Sequence, residues 1–210
     1  MKYIHTEAFR QEIVEAAIII FRRHGYEKTT MEDIAYKARK AKRSLYNHFK
    51  SKEEVFGAAL KQELTGVHDV LAPILEDDSK YILERFNAYL LKRAALLSDA
   101  ILWQQVLKGE VSERSRGRAE TVSDAIAEFD NWEHSVFVRV WESRPKPADY
   151  QESPVEAIAF ADMIQMSLKG LDITFFVQNK YGQYKDSYTF LINLLLESVK
   201  LNCVNIFSSK

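Results

Sequence analysis

Residues 30–52 read TMEDIAYKARKAKRSLYNHFKSK. Thr30-Met31-Glu32-Asp33 has the spacing of a capping box, in which a threonine hydroxyl takes the N–H of the residue three places on and that residue's carboxylate reaches back to the cap. The spacing predicts a short helix with Ile34, Ala35 and Ala38 facing inward. A turn around Arg39 to Ala41 separates it from a third short helix over Lys42 to Phe49, with Leu45 and Phe49 inward. Ser51-Lys52-Glu53-Glu54 is a second capping box that opens a fourth helix. Between Asp33 and Glu53 lie seven basic residues and no acid.

Two short helices joined by a turn, the second carrying Lys42, Arg43, Ser44, Asn47 and His48, have the pattern of a helix-turn-helix. Small Ala35 and Ala38 allow close packing, while the polar face presents donors to base edges and phosphates. Basic residues without acidic neighbours gain affinity by releasing counterions. The competing reading is a solvated basic surface on an ordinary helical pair.

Upstream, Phe9, Ile13, Ala17 and Ile20 trace one helix face. Gly25 can adopt a left-handed stop, and Phe21 and Tyr26 hold the positions that touch around such a cap, so the first helix is expected to end near His24. Downstream the apolar period is helical over about 79–97, 99–112, 118–142, 155–179 and 186–207, with a proline-bearing loop at 144–154. Val136 to Val140 alternates like a strand, but Ile126, Phe129, Trp132, Val136 and Val140 continue a helix face, and the stretch is assigned to a helix. The expected fold class is all-α, with an N-terminal three-helix domain bearing the helix-turn-helix and a larger helical domain.

Composition agrees. The 210 residues are 47% hydrophobic and 28% charged, as in ordinary globular chains, and seven glycines and four prolines leave few tight turns. The net charge of −1 hides an asymmetry, since residues 1–60 hold 12 Lys+Arg against 8 Asp+Glu. One cysteine, Cys203, and the absence of an apolar signal core in the first ten residues lead to the expectation of a cytoplasmic protein.

The run from Ile13 to Lys52 resembles the tetracycline-repressor-like (TetR/AcrR) transcriptional regulators. The resemblance is carried by Ala16-Ala17, Phe21, Gly25-Tyr26, Thr29-Thr30, Asp33-Ile34-Ala35, Ala38, Leu45-Tyr46, His48-Phe49 and Ser51-Lys52-Glu53. It implies a homodimeric repressor whose third helix enters the major groove, with Thr30, Tyr46 and Lys52 at phosphates. It also implies a DNA-binding domain at 1–51 and an effector-binding and dimerisation domain at 52–210. Expected DNA contacts are thus Thr30, Lys42, Arg43, Ser44, Tyr46, Asn47, His48 and Lys52; for Tyr46 a packing role stays equally open. The chain departs from the family pattern at Arg39 and Arg43, where the family usually has glycine, and at Lys40, where it has an apolar residue. A non-glycine residue at Arg39 predicts a turn strained by ~1 kcal/mol.

The last two helices are apolar on both sides, which requires burial all round and points to a dimer interface. The face chosen comprises Val155, Ala159, Met166 and Ile173, then Tyr188, Ile192, Leu195 and Val199. A central helix within one chain is the alternative. Phe86, Tyr89, Trp103, Trp132 and Phe137 are candidates to line a cavity for an apolar effector, although most such residues are simply core. The sequence holds no G-x-S-x-G, no phosphate-cradling glycine loop, no H-E-x-x-H and no Glu-x-x-His pair, so neither an enzyme nor a metal or other cofactor is expected. The rival class is a helical ligand carrier or an interaction module with a basic end.

Overall fold

A computed structural model of the chain describes residues 2–109, 120–144, 154–178 and 180–205. Among the described residues there are nine α-helices, one π-helical turn and no strand. The helices are α1 (Lys2–Lys28), α2 (Met31–Ala38), α3 (Lys42–Tyr46), α4 (Lys52–Glu76), α5 (Ile82–Asp99), α6 (Ile101–Leu107), α7 (Glu120–Glu142), α8 (Pro154–Asp172) and α9 (Tyr181–Asn205). The π turn, Ile173–Val177, continues α8. Val136 to Val140 is helical, as its continued face requires. The proline loop and the end of the 99–112 stretch lie outside the described residues. The chain forms two compact units, one of Met1–Gly66 with Ala100–Phe129, the other of Val67–Asp99 with Asp130–Lys210.

In the first unit, α1 buries Ile13, Val14, Ala17 and Phe21. It breaks at Gly25, whose φ of 78° and ψ of 165° lie in a region open essentially to glycine alone and differ from the left-handed helical stop expected of it. The break turns Tyr26 back so that its ring stacks on Phe21, 6.0 Å between centroids, and meets Phe56 edge-on at 5.1 Å. The Tyr26 hydroxyl donates to Glu53 at 2.6 Å, and the Thr29 hydroxyl takes up the Gly25 carbonyl at 2.7 Å. The last carbonyls of a helix lack partners within it. One of them, that of Phe21, accepts Gln105 Nε2 from α6 at 3.0 Å. The other end of α6 is held by α4, where Glu63 accepts the Trp103 N–H at 2.9 Å and faces Arg22 at 3.4 Å. Burial pushes the Glu63 carboxyl up, against these donors.

Both capping boxes form at their hydroxyls. Thr30 Oγ1 accepts the Asp33 N–H at 3.2 Å and Asp33 accepts the Thr30 N–H at 2.9 Å. Ser51 Oγ accepts the Glu54 N–H at 3.3 Å, but the Glu54 carboxylate takes the N–H of Lys50 where a box would have that of Ser51. Helix α2 ends in a Schellman arrangement, with Arg39 N–H donating to Tyr36 and Lys40 N–H to Ala35. Its left-handed position, φ 53° and ψ 40°, is filled by Arg39.

The second unit is organised around a buried guanidinium. Arg93 on α5 donates to Glu133 on α7 at 2.6 and 3.2 Å and to Asp172 at the end of α8 at 2.9 Å twice; all three residues are 1% exposed. Tyr89 donates its hydroxyl to Glu133 at 2.6 Å. Burial pushes the Asp172 carboxyl up even though Arg93 opposes it, and burial together with Glu133 raises Tyr89 well above the phenol range. No local spacing marks this network, because its members are 40 and 79 positions apart in the chain.

The candidate effector rings are packed on one another. Phe86, Tyr89 and Phe137 are buried and in mutual ring contact, with Trp132 against Tyr89 at 6.2 Å. Trp103 belongs to the other unit, where it lies against Phe129.

The described residues of the candidate interface face are exposed on α8 and buried on α9. On α8, Phe160, Ile164 and Leu168 are buried, while Ala159, Met166 and Ile173 face outward together with Ile158 and Met163. On α9, Tyr188 and Ile192 are core residues, buried where α5 and α9 pack, and the Tyr188 hydroxyl reaches the Leu90 carbonyl at 3.4 Å. The outward face carries Phe190, Leu191 and Leu194. Because α9 is apolar on both sides, its pattern alone does not choose which side meets α5. Val155, Leu195, Val199 and Cys203 lie outside the residues whose side chains are described.

Two predictions follow from these geometries. Gly25→Ala forces a side chain into the glycine-only region and is expected to lower stability by about 1–3 kcal/mol, whereas Arg39→Gly relieves a left-handed arginine and raises it by about 1 kcal/mol; urea unfolding reads both signs, and shifts of like sign exclude the backbone explanation. Arg93→Met leaves two buried carboxylates facing each other and is expected to cost about 3–5 kcal/mol. A loss below 1 kcal/mol in the same assay (roughly, the scale of an exposed pair) would show that the network is not a structural tie.

Candidate nucleic-acid interface

Inward residues fix which side of the helix pair faces solvent. Ile34, Leu45 and Phe49 are fully buried, so Lys42, Arg43, Tyr46 and Asn47 project outward, with Ser44 and His48 half-buried at the edge. Ala41 precedes α3 without a side-chain cap, and the helix is a single turn of five residues. A helix this short is stable only through its packing. Its register therefore rests on Leu45, whose carbonyl accepts the N–H groups of both His48 and Phe49 at 2.9 Å.

The cations differ in how far they are already committed. Lys42 pairs with Glu32, which holds the Glu32 carboxyl below its usual range and raises the lysine. Thr30 keeps Asp33 low in the same way, through its hydroxyl and its N–H. Lys40 pairs with Glu12 at 2.6 Å and lies over the Phe9 ring. Lys52 donates to the Tyr26 carbonyl at 2.8 Å and sits 4.2 Å above the Tyr26 ring, so it ties the start of α4 to the break in α1. The His48 ring packs on Phe9 at 4.8 Å, and its carbonyl accepts Arg10 at 3.2 Å. Arg43, by contrast, makes no ion pair among the described residues.

Of the eight expected contacts, the structure thus presents Lys42, Arg43, Tyr46 and Asn47 on one exposed surface and puts Thr30 exposed at the start of α2. Ser44, His48 and Lys52 are half-buried, the last two engaged within the fold. Tyr46 is 45% exposed, with Lys42 5.9 Å from its ring centre. One exposed aromatic was missed: Tyr36 on α2 is 88% exposed. Its signal was present, since turning Ile34 and Ala35 inward leaves Tyr36 on the outer side. Among the described residues, no group of His, Cys, Asp or Glu could hold a metal ion, and no helix is long and apolar enough to cross a membrane.

Residues 13–59, which contain this interface, match the family described as bacterial regulatory proteins, tetR family. The HTH-type transcriptional repressor DhaR of Mycobacterium sp. (strain GP1) is 28% identical over 124 residues, a match that spans 59% of this chain and 61% of DhaR. The biofilm operon icaADBC negative transcriptional regulator IcaR of Staphylococcus aureus (strain Newman) is 22% identical over 205 residues, covering 90% of this chain and 99% of IcaR. Among solved structures, the transcriptional regulator FadR from Bacillus subtilis, crystallised in complex with stearoyl-CoA, superposes with a TM-score of 0.64 at 17% identity over 93% of this chain and 98% of that one. Residues 13–59 thus match the N-terminal segment of tetR-family regulatory proteins, and the chain shares an all-helical fold along almost its whole length with a solved regulator structure.

Proposed function

We propose that the protein is a transcriptional repressor that binds an inverted-repeat operator as a homodimer and leaves it when a small apolar effector binds. The observation that carries this reading is the exposed surface of α3, where Arg43 and Asn47 stand free of the core contacts that hold the helix. Arginine pairs bidentately with guanine and asparagine with adenine in the major groove. Lys42 and Tyr46 beside them supply phosphate contacts that set register without reading sequence. In this reading residues 1–51 bind DNA and 52–210 bind effector and partner. The outward apolar residues of α8 and α9 are the partner surface, which on α9 means Phe190 and Leu194.

For the effector, support comes from a cavity of about 320 Å³ in the second unit. Leu75, Ile82, Val136 and Val140 give it an apolar wall; Glu76, Asp78 and Arg85, which is paired with Asp78 at 2.8 Å, line it too, and Arg139 is the cation that would meet an acidic end. Such a lining suits an apolar chain ending in an acidic group, and the FadR relative was crystallised with an acyl-CoA. A ligand preferring the DNA-free form must lower DNA affinity by the same factor by which DNA lowers its own.

Selection of duplexes from a random pool tests the reading. An inverted repeat is expected, with Arg43→Ala costing about 1–3 kcal/mol at one guanine per half-site and relaxing preference there. A pool with no enriched motif, or enrichment unaltered by Arg43→Ala, argues for the rival interaction module. The same assay with a long-chain fatty acid present reads the effector arm, where an unchanged operator affinity rejects that ligand class. Phe190→Glu places a charge on the outward face of α9 and is expected to give monomers in sedimentation at micromolar concentration; a persisting dimer would mean that the partner surface lies elsewhere.

A further inference from the structure

Arg39 occupies a backbone position that an arginine fills only under strain. Its φ of 53° and ψ of 40° are left-handed, and among the described residues no other non-glycine residue has a positive φ. Two backbone hydrogen bonds hold the turn in this shape, from the Arg39 N–H to the Tyr36 carbonyl at 3.1 Å and from the Lys40 N–H to the Ala35 carbonyl at 3.0 Å. Glycine would make the same bonds without the steric penalty of a Cβ. Nothing within the fold uses the arginine side chain in return, since it is exposed and makes no ion pair, hydrogen bond or ring contact among the described residues. A strained residue that no internal contact offsets points to a role outside the fold.

The neighbours of the turn determine what that side chain can meet. Lys40 and Lys42, on either side of it in sequence, are each occupied by an acid, Glu12 at 2.6 Å and Glu32. Asp33 accepts the hydroxyl and the N–H of Thr30. These acids are thus engaged elsewhere, and Arg39 keeps its whole positive charge. Chain length then limits where the charge stands. Three residue steps link Arg39 to Lys42 at the start of α3, so their Cα atoms are at most about 11 Å apart. The major groove is ~12 Å wide. With the first turn of α3 in a groove, Arg39 lies no farther from it than the strand that borders the groove, and it precedes the residues that reach base edges. A guanidinium in that place meets phosphate oxygens, which its planar fork binds through two parallel hydrogen bonds.

We propose that Arg39 anchors a DNA phosphate, a contact that offsets the strain of its backbone. The proposal rests on the reading of α3 as the element that enters the groove. Binding of the selected duplex over a series of salt concentrations, together with urea unfolding of the same proteins, tests it. Arg39→Gly is expected to raise the urea midpoint and yet weaken the duplex about tenfold, with the slope of log affinity against log salt flatter by about 0.9 per protomer. Arg39→Asn, which accepts a left-handed backbone but has no charge, is expected to lose affinity equally. Arg39→Lys keeps both strain and charge and is expected to retain the slope. Base preferences stay unaltered in all three, because a phosphate contact carries no sequence information. An unchanged slope in Arg39→Gly, or a loss as large in Arg39→Lys as in Arg39→Asn, would overturn the proposal. If Arg43→Ala still relaxes the motif in that case, the reading of α3 stands and only the role of Arg39 falls; a protein that selects no duplex at all removes both.

Discussion

The chain cannot continue α1 through Gly25, and much of the first unit is organised around that interruption. A backbone at φ 78° and ψ 165° releases helix carbonyls and redirects Tyr26. Each released or redirected group then finds a partner on another element. The Phe21 carbonyl binds α6 through Gln105, the Tyr26 carbonyl binds Lys52, and the Tyr26 hydroxyl binds Glu53. Unpaired polar groups at this depth would be costly, so α4 and α6 are held to the end of α1 by necessity as much as by apolar packing. The helix-turn-helix inherits its frame from these ties, because α2 begins after Thr29, whose hydroxyl closes on Gly25 itself.

What could be read from the sequence was local. Thr30 and Asp33, Ser51 and Glu54, Gly25 with Phe21 and Tyr26 are separated by a few residues, and their chemistry marks where helices begin or break, although the Gly25 backbone and the Glu54 carboxylate take other geometries than the spacing predicts. The exposed side of α3 followed from Leu45 and Phe49. Long-range pairing was not readable. Nothing near Arg93 announces Glu133 or Asp172, and the apolar surface of α9 on both sides hid the fact that Tyr188 and Ile192 turn toward α5. The aromatic residues posed the same problem in another form. Phe86, Tyr89 and Phe137 fill one another's surroundings in the folded chain, and only coordinates distinguish a ring that lines space from one that occupies it.

Electrostatics within the basic stretch are less uniform than the count of charges suggests. Lys40, Lys42 and Lys52 already have partners in Glu12, Glu32 and the Tyr26 carbonyl. Exposed pairs such as that of Lys42 are weak and exchange readily for a phosphate, whereas Lys52 also covers an aromatic ring and is held at two points. Charge present in the basic stretch and charge available to a new partner are therefore different quantities in this protein.

Arg43 and Asn47 are held by none of these ties, and this separation bears on how such a regulator diverges. Substitutions on exposed surface away from packing and caps usually alter stability by less than about 0.5 kcal/mol. Leu45 and Phe49, on the opposite side of the same turn, have no such freedom, because each fills the core. On the proposed reading, descendants of this chain acquire new target sites by drift at the outer positions of α3 without passing through unfolded intermediates, and a duplicated copy needs no compensating change elsewhere before its target differs.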